Sequence, residues 1–511
     1  MTRLALVLLA LVRLLLPAAS GAAAAGATYY VSARGSDRNP GSMAQPWRTV
    51  QHAADTLEAG DNCVVLQGDY DERVYVTRSG RPEAPITFRS AGGARLKGFT
   101  VLADHIAIRG FVIADNDAHW RDGWGVFAEG SGVQVEFNHV YYAPAGGIVI
   151  WDAPNDGRTP SGCAVRHNRL ERNGMVGVQI AGQDHVVEGN DIWGTIQYHP
   201  HWATPPLGAD ADGIRFFGSG HVVRANHIHD ITFEDPENAD PHIDCFQTWG
   251  PASDIVFEQN VCSVLVSQAE DEGGQGFMIQ AGAEAVTGIT IRNNVIEAFR
   301  MVNAFDCEGL TIVHNSFRGL LSFESAWHPL GVSLSRCPAA TVKNNVFYDV
   351  GAVPYVVVHD GNTRQTAQVG NNATYLSSGQ RPVGTPWPDD LWGEDPGLID
   401  PMAGDMHLRT GSPCIDRADP VPGVTEDLEG RPRPQGARPD IGAYEYEHAA
   451  VEPPTQRPSP TAIYLPMVRA NDAPRTTPAP SEGRPAACLP LPGLAIAALG
   501  GATRWTRRRR I

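Results

Sequence analysis

The stretch Asn238–Gly250, NADPHIDCFQTWG, sets Asp240, His242 and Asp244 at the entry of a strand-like run. Comparable runs begin at Asp212 (DGIRFFG), Gln275 (QGFMIQAG) and Arg300 (RMVNAFD), while the two preceding units carry Gly146 and Val176 in that place. Residues in register on adjacent strands lie about 4.8 Å apart at the backbone. Asp212 and Asp244 are thus expected as near neighbours, with Gln275 and Arg300 next in line. Two carboxylates so close push their pKa values apart, as acid/base catalysis requires. His242 joins them because an imidazole titrates near neutrality. Asp212, Asp244 and His242 are therefore the catalytic candidates. Arg300, Gln275, Arg215, Gln247, Trp249 and Trp202 are the binding candidates: a guanidinium fork suits a carboxylate, and an aromatic face suits a sugar.

The loop carboxylates Asp210, Glu234, Asp235 and Asp240 are candidate oxygen ligands for Ca²⁺. Their spacing matches no EF-hand, and a solvated acidic loop explains them equally well. No C-x-x-C pair occurs among the eight cysteines, so zinc is not expected. The cysteines read as small buried hydrophobes rather than as a disulfide framework. A net charge of −17 argues against nucleic acid as a partner. Lys97 and Lys343 are the only lysines, which removes the commonest amine base from the catalysts.

The elements that hold these residues follow from a repeat. An apolar alternation followed by Asn, any residue and an apolar residue recurs with its asparagines at Asn138, Asn168, Asn190, Asn226, Asn260, Asn294, Asn315 and Asn345. HIAIRGFVI forms an earlier unit with Gly110 in the Asn place. Period-2 alternation over such short runs means strands. The smallest spacing, 21 residues, suits three strands and three turns, and coils of that kind must stack to bury their inner faces. The expected fold is all-β: a single-stranded, right-handed parallel β-helix, with each Asn in a turn bonding between coils. Three consecutive long spacings, from Asn190 to Asn294, place extra loops at one corner of neighbouring coils, which makes a walled groove.

The segment Tyr29–Tyr70 resembles the opening of many secreted β-helix proteins, including family 9 pectate lyases. Within it, Trp47–Asp61 reads as a short amphipathic helix that caps the first coil. The groove strands resemble polygalacturonase-type glycoside hydrolases through DADG (Asp210–Gly213), HIDC (His242–Cys245), GQG (Gly274–Gly276) and RMV (Arg300–Val302). That resemblance implies that Asp212 and Asp244 activate water and that Arg300 binds a substrate carboxylate. Three positions depart from the pattern. Ile243 stands in place of the general-acid Asp, Gln275 in place of His, and Val302 in place of Lys. Hydrolysis, β-elimination and glycan binding without cleavage all remain open, on an acidic, uronate-containing polysaccharide.

The chain divides into a signal peptide (1–27), an N-terminal cap with the first coils (28–100), β-helix repeats (101–375), a C-terminal capping module (376–446), a Pro/Thr-rich linker (447–485) and an apolar tail with an Arg-rich end (486–511). The capping module resembles that of bacterial surface-anchored β-helix proteins. This order predicts a monomer exported by a bacterium and held at its surface, with the tail reaching the membrane or cell wall.

Overall fold

The computed structural model describes residues 26–116, 121–152, 157–196, 210–231, 243–264, 274–282, 284–319, 330–350 and 353–447. Three long parallel sheets wind through it. Sheet I, of 13 strands, runs from Thr28–Val31 to Gln368–Gly370. Sheet II, also of 13, runs from Gly68–Asp69 to Leu391–Trp392, and sheet III, of 11, from Arg73–Val76 to Val356–Val358. Each coil contributes one strand to each sheet in that order, as in Val186–Glu188, Asp191–Trp193 and Asp212–Phe216. This is the parallel β-helix that the repeat predicts. The interior is apolar along its length. Phe246 stacks on Phe277 at 4.6 Å, Phe257 packs edge-on to both, and Phe216 packs edge-on to Phe257.

The repeated Asn turns from sheet I into sheet II. Each side-chain Oδ1 accepts from both the backbone N–H and the Nδ2 of the Asn one coil earlier, at 2.9–3.1 Å. The ladder continues past Asn345 to Asn372, whose backbone N–H donates to Asp390. The residue before each Asn is left-handed, with φ of 52–64° at Phe137, His167, Gly189, Ala225 and Gln259. This column corrects the first unit. Asn138 accepts from the N–H of Phe111, so Phe111 holds the Asn place and Gly110 (φ 75°) the left-handed one. A second ladder forms where sheet III returns to sheet I. His185 and His221 stack at 4.8 Å, and each Nδ1 accepts a backbone N–H from the coil before. Burial pushes the His185 imidazole down to about 4, so it is a neutral turn residue.

The expected N-terminal helix is shorter than Trp47–Asp61. It spans Val50–Thr56, because Thr49 is extended and caps it from outside, and Trp47 instead bridges to Val31 at the edge of sheet I. The helix still covers the first coil. The Gln51 side chain bonds both the C=O and the N–H of Tyr75 on the edge strand of sheet III, replacing the missing neighbour.

Four cysteines correct the thiol reading. Cys245–Cys262 and Cys307–Cys337 are disulfides, whereas Cys63, Cys163 and Cys414 are buried thiols. The partners lie 17 and 30 residues apart, and only the coil geometry brings them together.

The C-terminal segment packs along the flank of the last coils. Outward positions of sheet II are polar at Arg169, Asp191 and His227 but apolar at Val295, Val346 and Ala373. Leu398, Met406, Leu408 and Ile441 cover that apolar stretch. Inside the segment, Arg433 and Glu445 pair at 2.6 Å with no exposed surface, and Arg433 also donates to the carbonyls of Asp440 and Gly442. The open end of the interior is met by Trp387 and Trp392.

Candidate active site

The polar column lies on the outer side of sheet III, where a break in alternation puts it. A Cβ on Gly213 would strike the Ile228 side chain at 2.8 Å, so Gly213 faces inward beside the buried Ile214. Asp212 and Arg215, three residues apart, therefore share the outer face, and Arg215 Nε donates to Asp212 Oδ2 at 2.6 Å. Asp212 is in register with Val176, which packs with Trp124, Phe127 and Val149 in a small cluster outside the interior. The switch from that apolar cluster to Asp212 marks where the site begins.

Register continues from Asp244 to Gln275 to Arg300. The backbone N–H of Asp244 donates to Asp212 Oδ1 at 3.1 Å. Gln275 Nε2 donates to Asp244 Oδ1 at 2.9 Å, and Asn303 Nδ2 donates to Gln275 Oε1 at 3.0 Å. Asn303 belongs to the site yet escapes a sequence reading, because it enters from the neighbouring column of Arg215 and Gln247. Its place in RMVNAFD, three residues after Arg300, repeats the Asp212–Arg215 offset.

Both carboxyls have no exposed surface. Burial drives Asp212 up to about 6 although Arg215 pulls it down. Burial also holds Asp244 well above the ordinary carboxylate range, and the neighbouring Asp212 and Asp210 charges add to this. Arg215 touches Asp212 and reaches Asp210 at 3.4 Å, so a shared proton belongs on Asp244. Asp212 spends one oxygen on Arg215 and the other on the Asp244 N–H. Asp244 Oδ2 has no partner among the described residues. The same holds for Gln247 Oε1 and Arg300 Nε on the same outer face. Buried polar atoms in native proteins are nearly always paired, so such a group points to a ligand position.

Arg215 also lies over the Trp249 ring at 5.2 Å, and Phe217 packs edge-on to Trp249 at 4.8 Å. Trp249 keeps 46% of its surface exposed. Ile243 and Val302 are buried in the interior and offer no functional group. His242 and Trp202 lie outside the described residues, as do Glu234, Asp235 and Asp240 of the Ca²⁺ set. Asp210, the described member of that set, is engaged by Arg215.

No family model matches the chain. A 61-residue stretch is 43% identical to the Bacillus subtilis (strain 168) protein described as "Uncharacterized protein YwoF"; it covers 12% of this chain and 13% of that relative. Among solved structures the chain is similar to pectate lyase Pel9A, with a TM-score of 0.47 and 16% identity over 82% of this chain and 96% of that one. It is also similar to XylC with xylose, with a TM-score of 0.49 and 12% identity over 82% and 98%. A third is the PL6 family alginate lyase AlyGC, with a TM-score of 0.38 and 12% identity over 68% and 52%. The three parallel sheets, the one-strand-per-sheet winding and the Asn ladder together make this chain a parallel β-helix.

Proposed function

We propose that the protein cleaves glycosidic bonds in an acidic polysaccharide, with Asp244 as the proton donor. One observation carries this reading: Asp244 is a fully buried carboxyl bonded through its backbone to Asp212, and its Oδ2 has no partner among the described residues. Glycosidic cleavage needs a proton on the leaving oxygen, so the donor must still hold it near neutral pH. Arg215 keeps Asp212 charged, and that charge keeps the proton on Asp244. Asp244 thus fills the acid role that Ile243 cannot. Arg300 is the residue for a uronate carboxylate, and Trp249 offers a face for a sugar ring.

Incubation with a panel of uronate-containing polymers tests this. Reducing ends without ultraviolet absorbance indicate hydrolysis, and both together indicate β-elimination. A second reading, glycan binding without cleavage, draws on the saturation of both Asp212 oxygens, which leaves no free carboxylate to activate water. Retention on a glycan array with no new reducing ends on any polymer would establish that reading instead.

A further inference from the structure

The strand Val222–Arg224 leads through Asn226 into His227–His229, a His-x-His pair on sheet II. Alternation puts both rings on one face, where they stack at 4.2 Å. The adjacent strand places Asp191 opposite His227 and Trp193 opposite His229. One oxygen, Asp191 Oδ1, stands 3.2 Å from His227 Nδ1 and 3.0 Å from His229 Nε2. All three ligand atoms lie within 4.8 Å of one another.

These distances suit a small divalent metal. Tetrahedral Zn²⁺ with bonds of about 2.1 Å holds its ligand atoms about 3.4 Å apart. The two Asp191–imidazole distances are within a few tenths of an ångström of that spacing, and the two ring nitrogens lie within 4.8 Å of each other, a gap that rotation of these partly exposed side chains can close. Two imidazoles and a carboxylate form the donor set that Zn²⁺, Co²⁺ and Ni²⁺ share. Mg²⁺ and Ca²⁺ prefer oxygen alone.

A second, independent feature is the support behind one ligand. His229 Nδ1 bonds Asp230 Oδ2 at 2.7 Å, which fixes the tautomer and leaves Nε2 for the metal side. Ligating histidines characteristically give their other nitrogen to a carboxylate in this way. The Trp193 ring lies nearly parallel to that imidazole at 6.0 Å, and Arg169 is drawn onto Trp193 at 5.3 Å although its strand position is opposite Asp191.

We infer that Asp191, His227 and His229 form a site for one divalent transition-metal ion of the Zn²⁺ class, with Asp230 as the positioning residue for His229. The site belongs to sheet II, whereas the Asp212–Asp244 pair belongs to sheet III, and it does not depend on the proposed cleavage. Three protein ligands leave a coordination position for water.

The test uses the full-length protein, freed of metal by chelation and dialysis and then titrated with Co²⁺ and with Zn²⁺. The expected result is one ion per chain, a visible Co²⁺ d–d band, and loss of both in His227→Ala/His229→Ala with unchanged circular dichroism. Asp230→Asn should still bind, about 10-fold or more weakly. Binding well below one ion per chain in the wild-type protein would overturn the inference. So would a Co²⁺ band that persists unchanged in the double variant, since the ion would then sit elsewhere. An Asp230→Asn variant with wild-type affinity would overturn the role given to Asp230.

Discussion

The backbone N–H of Asp244 points at the carboxylate of Asp212 one coil earlier, over 3.1 Å. A main-chain donor cannot swing away, so the strand register itself fixes the two carboxyls as a pair. Asp212 is satisfied by this bond and by Arg215, whereas Asp244 Oδ2 has no partner among the described residues.

Asp244→Asn keeps the shape and the Gln275 contact but removes the transferable proton. Cleavage of the polymer identified by the panel should fall by about 10²–10⁴-fold. The reducing-end assay checks this, with circular dichroism verifying the fold. Activity within a few-fold of wild type would move the acid to another residue.

The pair also makes stability depend on pH. Both carboxyls have folded pKa values raised above the unfolded value near 3.8, with Asp212 at about 6. Raised acids contribute stability that is fully present below the unfolded pKa and is lost as pH rises through the folded one. Asp244→Asn lacks this loss. The melting-temperature difference, variant minus wild type, should therefore grow between pH 4 and pH 7. Thermal melts at several pH values measure it, and a flat difference would contradict the burial argument.

In the Asn ladder, Asn226→Ala deletes an acceptor that serves both the backbone N–H and the Nδ2 of Asn190. It also removes donors to Val187 and Asn260. A stranded buried donor costs about 1–3 kcal/mol. Urea unfolding should show a loss of at least that size. Asn138→Ala, at the start of the ladder, strands the single N–H of Phe111 and should cost less.

Arg433→Met leaves Glu445 buried without its counter-ion. Breaking one side of a buried pair costs about 3–5 kcal/mol. Because the pair lies inside the flanking segment, limited proteolysis should cut within 395–447 before the coils are attacked.

The repeat was legible because the Asn recurs in one phase and because period-2 runs can only be strands here. The Asp212–Asp244–Gln275–Arg300 column followed from the same phase. What stayed hidden depends on distances between coils. The partners Cys245 and Cys262 sit on sheet III of one coil and sheet II of the next, and nothing in their spacing announces a bond. Asn303 and the Arg215–Asp212 bond depend on two consecutive inward residues, a local break that alternation alone does not foresee. At the first unit the Asn place is hidden because the apolar Phe111 fills it, which makes Gly110 the apparent match one position early. The His227–Asp191 contact joins strands whose pairing was predicted, but a single His-x-His carries little weight until its opposite residue is known.

The Asn ladder occupies one corner of every coil from Asn138 to Asn372, and the left-handed residue before it fixes how tightly the chain bends there. The corner between sheets II and III also opens on a left-handed residue, at Tyr142, Arg172, Gly194 and Asp230, but beyond that residue the length is variable: the chain leaves after Trp193 and returns at Asp212, or leaves after His229 and returns at Asp244, without disturbing the ladder. The scaffold thus separates what must be kept from what can be exchanged. Segments of different length and chemistry can be grafted between those anchor strands while the pitch stays the same, which makes the corner the natural place to redesign what the groove accepts.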